Sequence, residues 1–476
     1  MSIVNLSLLI DFEENFNLFD VHIKNIKIWP LIRYQYMQGV LDQYNDFNTP
    51  QSKSKSLKIK ELLVYMAQVI AYQPKFFKKK KSINFLFFAK GTYKYTKGKY
   101  YNRITEPYAE IFPNESLLIE ESFDFKNGLP RTFKNIKLLD IYLIKAKLLG
   151  SLLGIEKQYK KEVYDFIEFL KDNSPFELPD VTWLKLQHYL CSQLERHKFI
   201  TKDIAKLLNK IQPKVIFIEE ACYGNRAYIV DIAKKMGIKT VEFQHGFIGN
   251  THPAYNYGER FLKTTDNHCP EYILTYGEYW KKSITVPSQV ISIGNPSLEQ
   301  TVKAFSTDRK CKSSTLKVLV ISSGVDYNNL IGIILDFIDD NLKKTVLEIV
   351  FRPHPLERPV MEVRYKELID LGVKMSVVDL YDDIINCDLV FGEFSTALYE
   401  ATVFNKKVIM LDNKYSRQYV SKNDALNVLE HVESAKELSK VVFNNENYNF
   451  DNITSNDIWA KDWKKNYHEF ISLIKN

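Results

Sequence analysis

Two polar clusters at the ends of apolar runs carry the chemistry of this chain. The first is Arg352-Pro353-His354-Pro355, which closes the run Val346 to Phe351. A second apolar run, Asp388 to Phe391, leads through Gly392 into Ser395, Thr396 and, within a helical pattern, Glu400. Arg352 and His354 on a loop stiffened by two prolines are donors suited to a phosphate. Ser395 and Thr396 add hydroxyls where a helix N-terminus presents unpaired N–H groups, and Glu400 faces back toward a ribose. Pro355 shapes this group, and Gly294 and Asn295 are counted with it. The constellation suits a nucleoside mono- or diphosphate. The second cluster differs in kind. Glu219 and Glu220 close the run Val215 to Ile218, with Tyr223 just beyond, and Gln244-His245-Gly246 closes Lys239 to Phe243, with His252 further on. Glu219, Glu220 and His245 are general-base candidates. Gln244, Tyr223 and His252 fall on the acceptor side.

These clusters need strands to carry them. Short apolar runs at Ile83–Ala89, Leu117–Ile119, Val215–Ile218, Lys239–Phe243, Tyr272–Thr275 and Val290–Ile293 alternate with helical patterns. The same alternation resumes at Leu316–Ser322 and continues through the runs at 346 and 388 to Val408–Leu411. Strands alternating with helices predict an α/β protein with doubly wound parallel sheets. The expected fold is two Rossmann-like domains facing across a cleft, with extra N-terminal helices and a C-terminal crossover helix. Residues 1–300 form the acceptor-binding domain, beginning with a helical cap on the first sheet, in which Trp29 and Arg33 share a helix face, and containing a helical insertion over 135–210. The stretch KGTYKYTKGKYYNRITEPYAE reads as a long loop offering an acceptor surface. Residues 301–315 are polar and aperiodic and read as the linker. Residues 316–455 form the nucleotide-sugar domain, and 456–476 one amphipathic helix across the junction, with Trp459, Trp463, Tyr467, Phe470 and Leu473 at helical spacing.

Composition removes several classes of function. A chain of 476 residues with 45% apolar content forms full cores. The net charge of +7 comes with no nucleic-acid-binding motif, so nucleic acid is not the expected partner. The five cysteines have no paired spacing, which argues against a zinc site or a disulfide framework and fits a reducing cytoplasm. The start MSIVNLSLLIDFEENF lacks the basic region of a signal peptide, and no uncharged run approaches the roughly 18 residues of a membrane span. Phe76, Phe77 and Lys78 to Lys81 follow an apolar helical pattern, a combination that suits peripheral contact with an anionic membrane at the inner face of the cell.

Facing clusters predict group transfer, with the donor nucleotide on the C-terminal half and the acceptor and base on the N-terminal half. No DxD pair stands at a strand end, and Asp382-Asp383 reads as a helix start. Leaving-group charge is therefore expected to be met by Arg352, His354 and helix dipoles without an obligatory metal or cofactor.

RPHP followed by GEFSTALYEA, with QHG and IGNPSLE upstream, resembles the GT-B bacterial glycosyltransferases of capsule, lipopolysaccharide and teichoic-acid assembly over residues 210 to 412. These include sialic acid, Kdo and other nonulosonic-acid transferases and the CDP-glycerol glycerophosphotransferases. The resemblance implies a CMP-sugar donor whose phosphate meets His354-Pro355 and Ser395-Thr396, and a glycan or lipid-linked glycan acceptor. It also implies a base at either Glu220, in Glu219-Glu220-Ala221 where the family has glycine third, or His245 in an HG motif. An NDP-hexose glycosyltransferase, a CDP-glycerol glycerophosphotransferase, a sugar-nucleotide epimerase of the same fold and a non-catalytic scaffold are the alternatives.

Overall fold

A computed structural model describes residues 6–44, 59–74, 82–90, 93–96, 98–122, 127–305, 315–341, 347–404, 406–414, 416–419, 429–443 and 457–475. The run FLFFA is apolar throughout because both of its faces are covered. In β1 (Phe85–Ala89), Phe85 and Phe87 enter one core layer and Leu86 and Phe88 the opposite one. It is joined by β2 (Ser116–Glu120), β3 (Ile136–Leu138), β4 (Val215–Ile218), β5 (Lys239–Phe243), β6 (Tyr272–Thr275) and β7 (Gln289–Ser292). The sheet is parallel, in the order β7-β6-β5-β4-β1-β2-β3.

The second sheet consists of β8 (Leu316–Ile321), β9 (Leu347–Arg352), β10 (Lys374–Met375), β11 (Leu389–Gly392), β12 (Lys407–Leu411) and β13 (Glu430–Val432). It is also parallel, in the order β10-β9-β8-β11-β12-β13. The direction of strand addition reverses between β1 and β4 in one sheet and between β8 and β11 in the other. Carboxyl ends at such switch points are where open α/β sheets hold ligands. The result is the GT-B arrangement of two Rossmann-like domains across a cleft.

Several expectations need correction. Ile136–Leu138, inside the range expected to be helical, is an edge strand too short to give a periodic signal. The helices of that range run Asp140–Leu152, Ile155–Asn173 and Asp180–Ile211. The N-terminal helices Leu6–Asn15 and Trp29–Tyr44 do not lie on the sheet. They form a separate core with the second and third of these helices, in which Trp29 and Arg33 both donate to the buried carboxylate of Glu13. The tyrosine- and lysine-rich stretch is no plain loop. It makes an antiparallel hairpin, Tyr93–Thr96 with Lys99–Asn102, and the short helix Glu106–Ala109. Arg131 fastens that helix to the sheet, donating to Glu106 at 2.8 Å and to Glu120 at 2.9 Å with all three side chains buried.

Thr301–Phe305, expected as linker, complete the helix Pro296–Phe305, and residues 306–314 lie outside the described ones. The expected single helix over 456–476 is broken. Asp457 and Ile458 form a helical turn, Asp462 takes a left-handed backbone with φ 58°, and the helix proper is Trp463–Lys475. Ile458 and Trp459 belong to the core of the second half, whereas Trp463, Tyr467, Phe470 and Ile471 cover one face of the first sheet. Leu473 is 57% exposed and takes no part. The halves also meet directly, Tyr399 packing on Trp280 at 5.3 Å and on Phe247 at 5.8 Å between ring centroids.

Candidate active site

On the second half, Arg352-Pro353-His354-Pro355 lies at the carboxyl end of β9 and lines the cleft. Buried Glu357 fixes this loop by accepting from the His354 backbone N–H at 2.8 Å, from Arg364 at 3.1 Å and from the Tyr365 hydroxyl. His354 Nδ1 accepts the Leu356 N–H at 3.3 Å, so the proton of the neutral ring sits on Nε2. Burial lowers the pKa of His354, which keeps it neutral with that N–H to offer. Arg352 is already occupied. Its guanidinium donates to Asp383 at 2.6 Å and to the Val378 carbonyl at 2.8 Å. Arg358 lines the same wall with a buried Nε that has no hydrogen-bond partner among the described residues, and burial and the nearby Arg352 make its cation less comfortable. The sequence reading named the first arginine of RPHPLER and passed over the second.

Gly392 ends β11 where a Cβ would stand 2.2 Å from the Ile321 carbonyl oxygen, so only glycine lets these neighbouring loops converge. Glu393 then ties them together, accepting from the Ser323 N–H at 3.0 Å and the Asp326 N–H at 2.8 Å. Ser395 caps the helix Thr396–Thr402 by accepting from Ala397 N–H at 3.3 Å, and its side chain lines the cleft.

On the first half, adjacent carboxylates go separate ways. Glu219 is 2% exposed, accepts from the Lys90 N–H at 2.8 Å and the Asn102 amide at 3.3 Å, and does not line the cleft. It positions the loop after β1 and is not exposed to substrate. Glu220 has a left-handed backbone, φ 56°, which costs an L-residue about 1–2 kcal/mol and turns its side chain into the cleft. There it pairs with the Lys90 ammonium. Burial alone would raise its pKa, but Lys90 and His245 hold it below the usual carboxylate value. An ionised, paired carboxylate is a weak base, so His245 is the stronger candidate.

His245 follows β5 and lines a deeper pocket that opens into the main cleft. Gln244 sets its backbone, accepting from Tyr276 N–H and donating to the Gly246 carbonyl, both at 2.9 Å. Behind it stand Tyr223 and His252, which do not line the cleft. His252 Nδ1 accepts the Ala254 N–H at 3.2 Å, so the proton of its neutral ring is on Nε2, directed at the Tyr223 hydroxyl 3.3 Å away. The Tyr223 hydroxyl also lies 3.3 Å from His245 Nε2, where it can accept the imidazole proton and leave Nδ1, which has no hydrogen-bond partner among the described residues, as the basic nitrogen. Burial lowers both imidazoles, His252 to about 3, so the chain stays neutral at ordinary pH. The pair stands behind His245 and lines neither the cleft nor the deeper pocket, so the acceptor-side place expected for Tyr223 and His252 is not where the structure puts them.

The deeper pocket also holds Asn295, Thr396 and Glu400. Asn295 caps its helix, accepting from Ser297 N–H at 3.1 Å. Glu400 enters from the second half beside His245 and away from the RPHP loop, with a buried Oε2 that has no hydrogen-bond partner among the described residues and a pKa raised by burial. Gly294 lies outside both pockets. Its φ of 96° and the 2.4 Å approach of the Ala460 carbonyl to a Cβ there show a packing role against the crossover segment. Lys90, Arg103, Ser322, Tyr381 and Arg358 line the site without having been named from sequence. Among the described residues no cluster of three His, Cys, Asp or Glu side chains is placed to hold a metal.

Glu242, beneath Glu220, accepts from the Tyr255 hydroxyl at 2.7 Å and Cys222 N–H at 3.0 Å, yet burial raises it to about 7. Its folded pKa exceeds the unfolded value of about 4.3, so its stabilising share is full below that pH and lost as pH rises through 7. Glu242→Gln should therefore gain stability relative to the parent between pH 5 and 8. Urea midpoints at the two pH values check this, and equal differences at both would reject it.

No protein-family model and no curated protein matches this chain. Among solved structures, it is similar to the UDP-GlcNAc 2-epimerase of Methanocaldococcus jannaschii, at 13% identity over 82% of this chain and 99% of that one, TM-score 0.43. It is also similar to the N-terminal domain of the Candida albicans trehalose-6-phosphate phosphatase, at 11% identity over 84% and 98%, TM-score 0.46. A third is the trehalose 6-phosphate synthase of Burkholderia multivorans, at 9% identity over 83% and 93%, TM-score 0.40.

Proposed function

We propose that this protein is a glycosyltransferase that moves an acidic sugar of the sialic, nonulosonic or Kdo type from its CMP-activated donor to a surface-polysaccharide or lipid-linked glycan. The observation that carries this reading is one cleft of about 1150 Å³ with phosphate donors on one wall and proton-handling groups on the other. Arg358, His354 and Ser395 face it from the second half, and Glu220 and Lys90 from the first, with His245 in the adjoining pocket. An acceptor hydroxyl attacks the anomeric carbon, the bond from that carbon to the phosphate oxygen breaks, and the hydroxyl proton passes to His245. Arg358 and the Nε2–H of His354 meet the charge gathering on the departing phosphate.

A thermal-shift panel of CMP, CDP, UMP, UDP and GDP tests the donor. Stabilisation by CMP supports the reading, and a response to UDP alone overturns it. His354→Ala should weaken CMP binding about tenfold, the worth of one hydrogen bond to a charged group. Unchanged CMP affinity would remove His354 from the phosphate site. One observation favours a second reading, sugar-nucleotide epimerisation. His245 and Glu400, whose buried Oε2 has no hydrogen-bond partner among the described residues, line the same small pocket from opposite halves, as two acid–base groups on one sugar would.

The acceptor reading extends to a membrane surface. The helix Ile59–Ala71 leaves Leu63 65% exposed, and the neighbouring helix Asp140–Leu152 leaves Leu152 80% exposed. In sequence the first of these helices is followed by Phe76, Phe77 and Lys78 to Lys81, which lie outside the described residues. No described helix is long and apolar enough to cross a membrane.

A further inference from the structure

Besides the neutral His354, four side-chain cations line the main cleft: Lys90, Arg103, Arg352 and Arg358. Two are neutralised on the spot, Lys90 by Glu220 and Arg352 by Asp383. Arg103 and Arg358 remain, one on each wall. Arg103 is solvent-exposed and has no ion-pair or hydrogen-bond partner among the described residues. Its backbone is nonetheless fixed. Asn102 accepts from the N–H groups of Ile104 and Thr105 at 2.9 and 3.1 Å, and donates to the Lys90 carbonyl at 3.0 Å. Just beyond, the helix Glu106–Ala109 is fastened by Arg131. The charge of Arg103 acts on Glu400 in the same pocket, a carboxyl that burial pushes toward its neutral form, so this guanidinium on a rigid backbone is prepared for an anion that arrives with the ligand.

Its place identifies the anion. Arg103 lines both the main cleft, which holds His354 and Arg358, and the deeper pocket, which holds His245. In a 2-keto acid sugar the carboxylate is bonded to the anomeric carbon itself, next to the leaving phosphate and to the point of attack. The group that reads it must therefore stand within reach of both the phosphate site and the base. A neutral hexose presents no charge there. The geometry points to Arg103 as the residue that recognises the carboxylate on the anomeric carbon of an acidic sugar donor, a specificity role that rests on the CMP-sugar reading. A planar guanidinium takes a carboxylate through two parallel N–H···O bonds, which lysine cannot reproduce.

Isothermal titration of wild-type, Arg103→Gln, Arg103→Lys and Arg358→Gln proteins with CMP and with a CMP-activated nine-carbon 2-keto acid tests this. In Arg103→Gln, CMP affinity stays within about twofold while the sugar nucleotide binds about 10- to 100-fold more weakly, with Arg103→Lys in between. Arg358→Gln weakens both ligands. Equal weakening of both ligands by Arg103→Gln would make Arg103 a phosphate ligand, and no change in either would leave it without a role. Both results overturn the assignment while leaving the donor reading intact. Failure of the wild-type protein to bind either CMP compound overturns the donor reading and this one together.

Discussion

Replacing His245 by alanine lowers turnover about 10²- to 10⁴-fold, the usual worth of a positioned general base, and leaves CMP affinity where it was. The two effects separate because the phosphate donors His354 and Arg358 stand on the opposite wall. Burial holds His245 below the ordinary imidazole pKa, so the acid limb of the rate profile should fall below pH 6.5. Glu220 opposes that shift, because its negative charge favours the imidazolium. Glu220→Gln should therefore move the acid limb to still lower pH and reduce the rate less than His245→Ala. Single-turnover rates across pH, with CMP titrations on the same proteins, provide the measurement. Full activity in His245→Ala would place the base elsewhere.

The largest expected loss of stability comes from a residue that never meets substrate. Arg131→Met should cost about 3–5 kcal/mol, because it leaves the Glu106 and Glu120 carboxylates buried side by side without their cation. Glu106 already has a pKa raised by burial, and without Arg131 it would take up a proton more readily still. The loss should therefore shrink toward pH 5. The triple replacement Arg131→Met, Glu106→Gln and Glu120→Gln should recover most of it, since no buried charge is then left unpaired. Guanidinium melts of the single and triple variants decide this, and an unaltered midpoint in Arg131→Met would show that water reaches the site.

The parallel sheets were legible because two covered faces demand apolar residues throughout each strand, so Val215–Ile218 and Lys239–Phe243 stand out against polar loops. The RPHP and QHG loops were legible for the related reason that they follow such runs directly. What could not be read is pairing at a distance. Nothing local to Arg352 says that Asp383 will neutralise it, or that Arg358 will be left unpaired. Glu219 and Glu220 were indistinguishable in sequence because a single left-handed residue decides which carboxylate faces the cleft, and glutamate gives no signal for that conformation. Arg103 was hidden in a stretch whose tyrosines and lysines suggested a loop, whereas it stands between a hairpin held by the backbone at Pro130 and Thr132 and a helix anchored by Arg131, all from beyond β2.

The apolar layer shared by Phe85, Phe217 and Phe243 is completed by Trp463, Tyr467 and Phe470, which follow every strand of both sheets in the chain. During synthesis at about 5–20 residues per second, the first sheet is finished roughly 10 to 30 seconds before the ribosome delivers its cover. For that interval a row of phenylalanines faces water or a chaperone. The first half is therefore the aggregation-prone part of the nascent chain, and its folding is tied to the arrival of a segment that has already threaded past the second half.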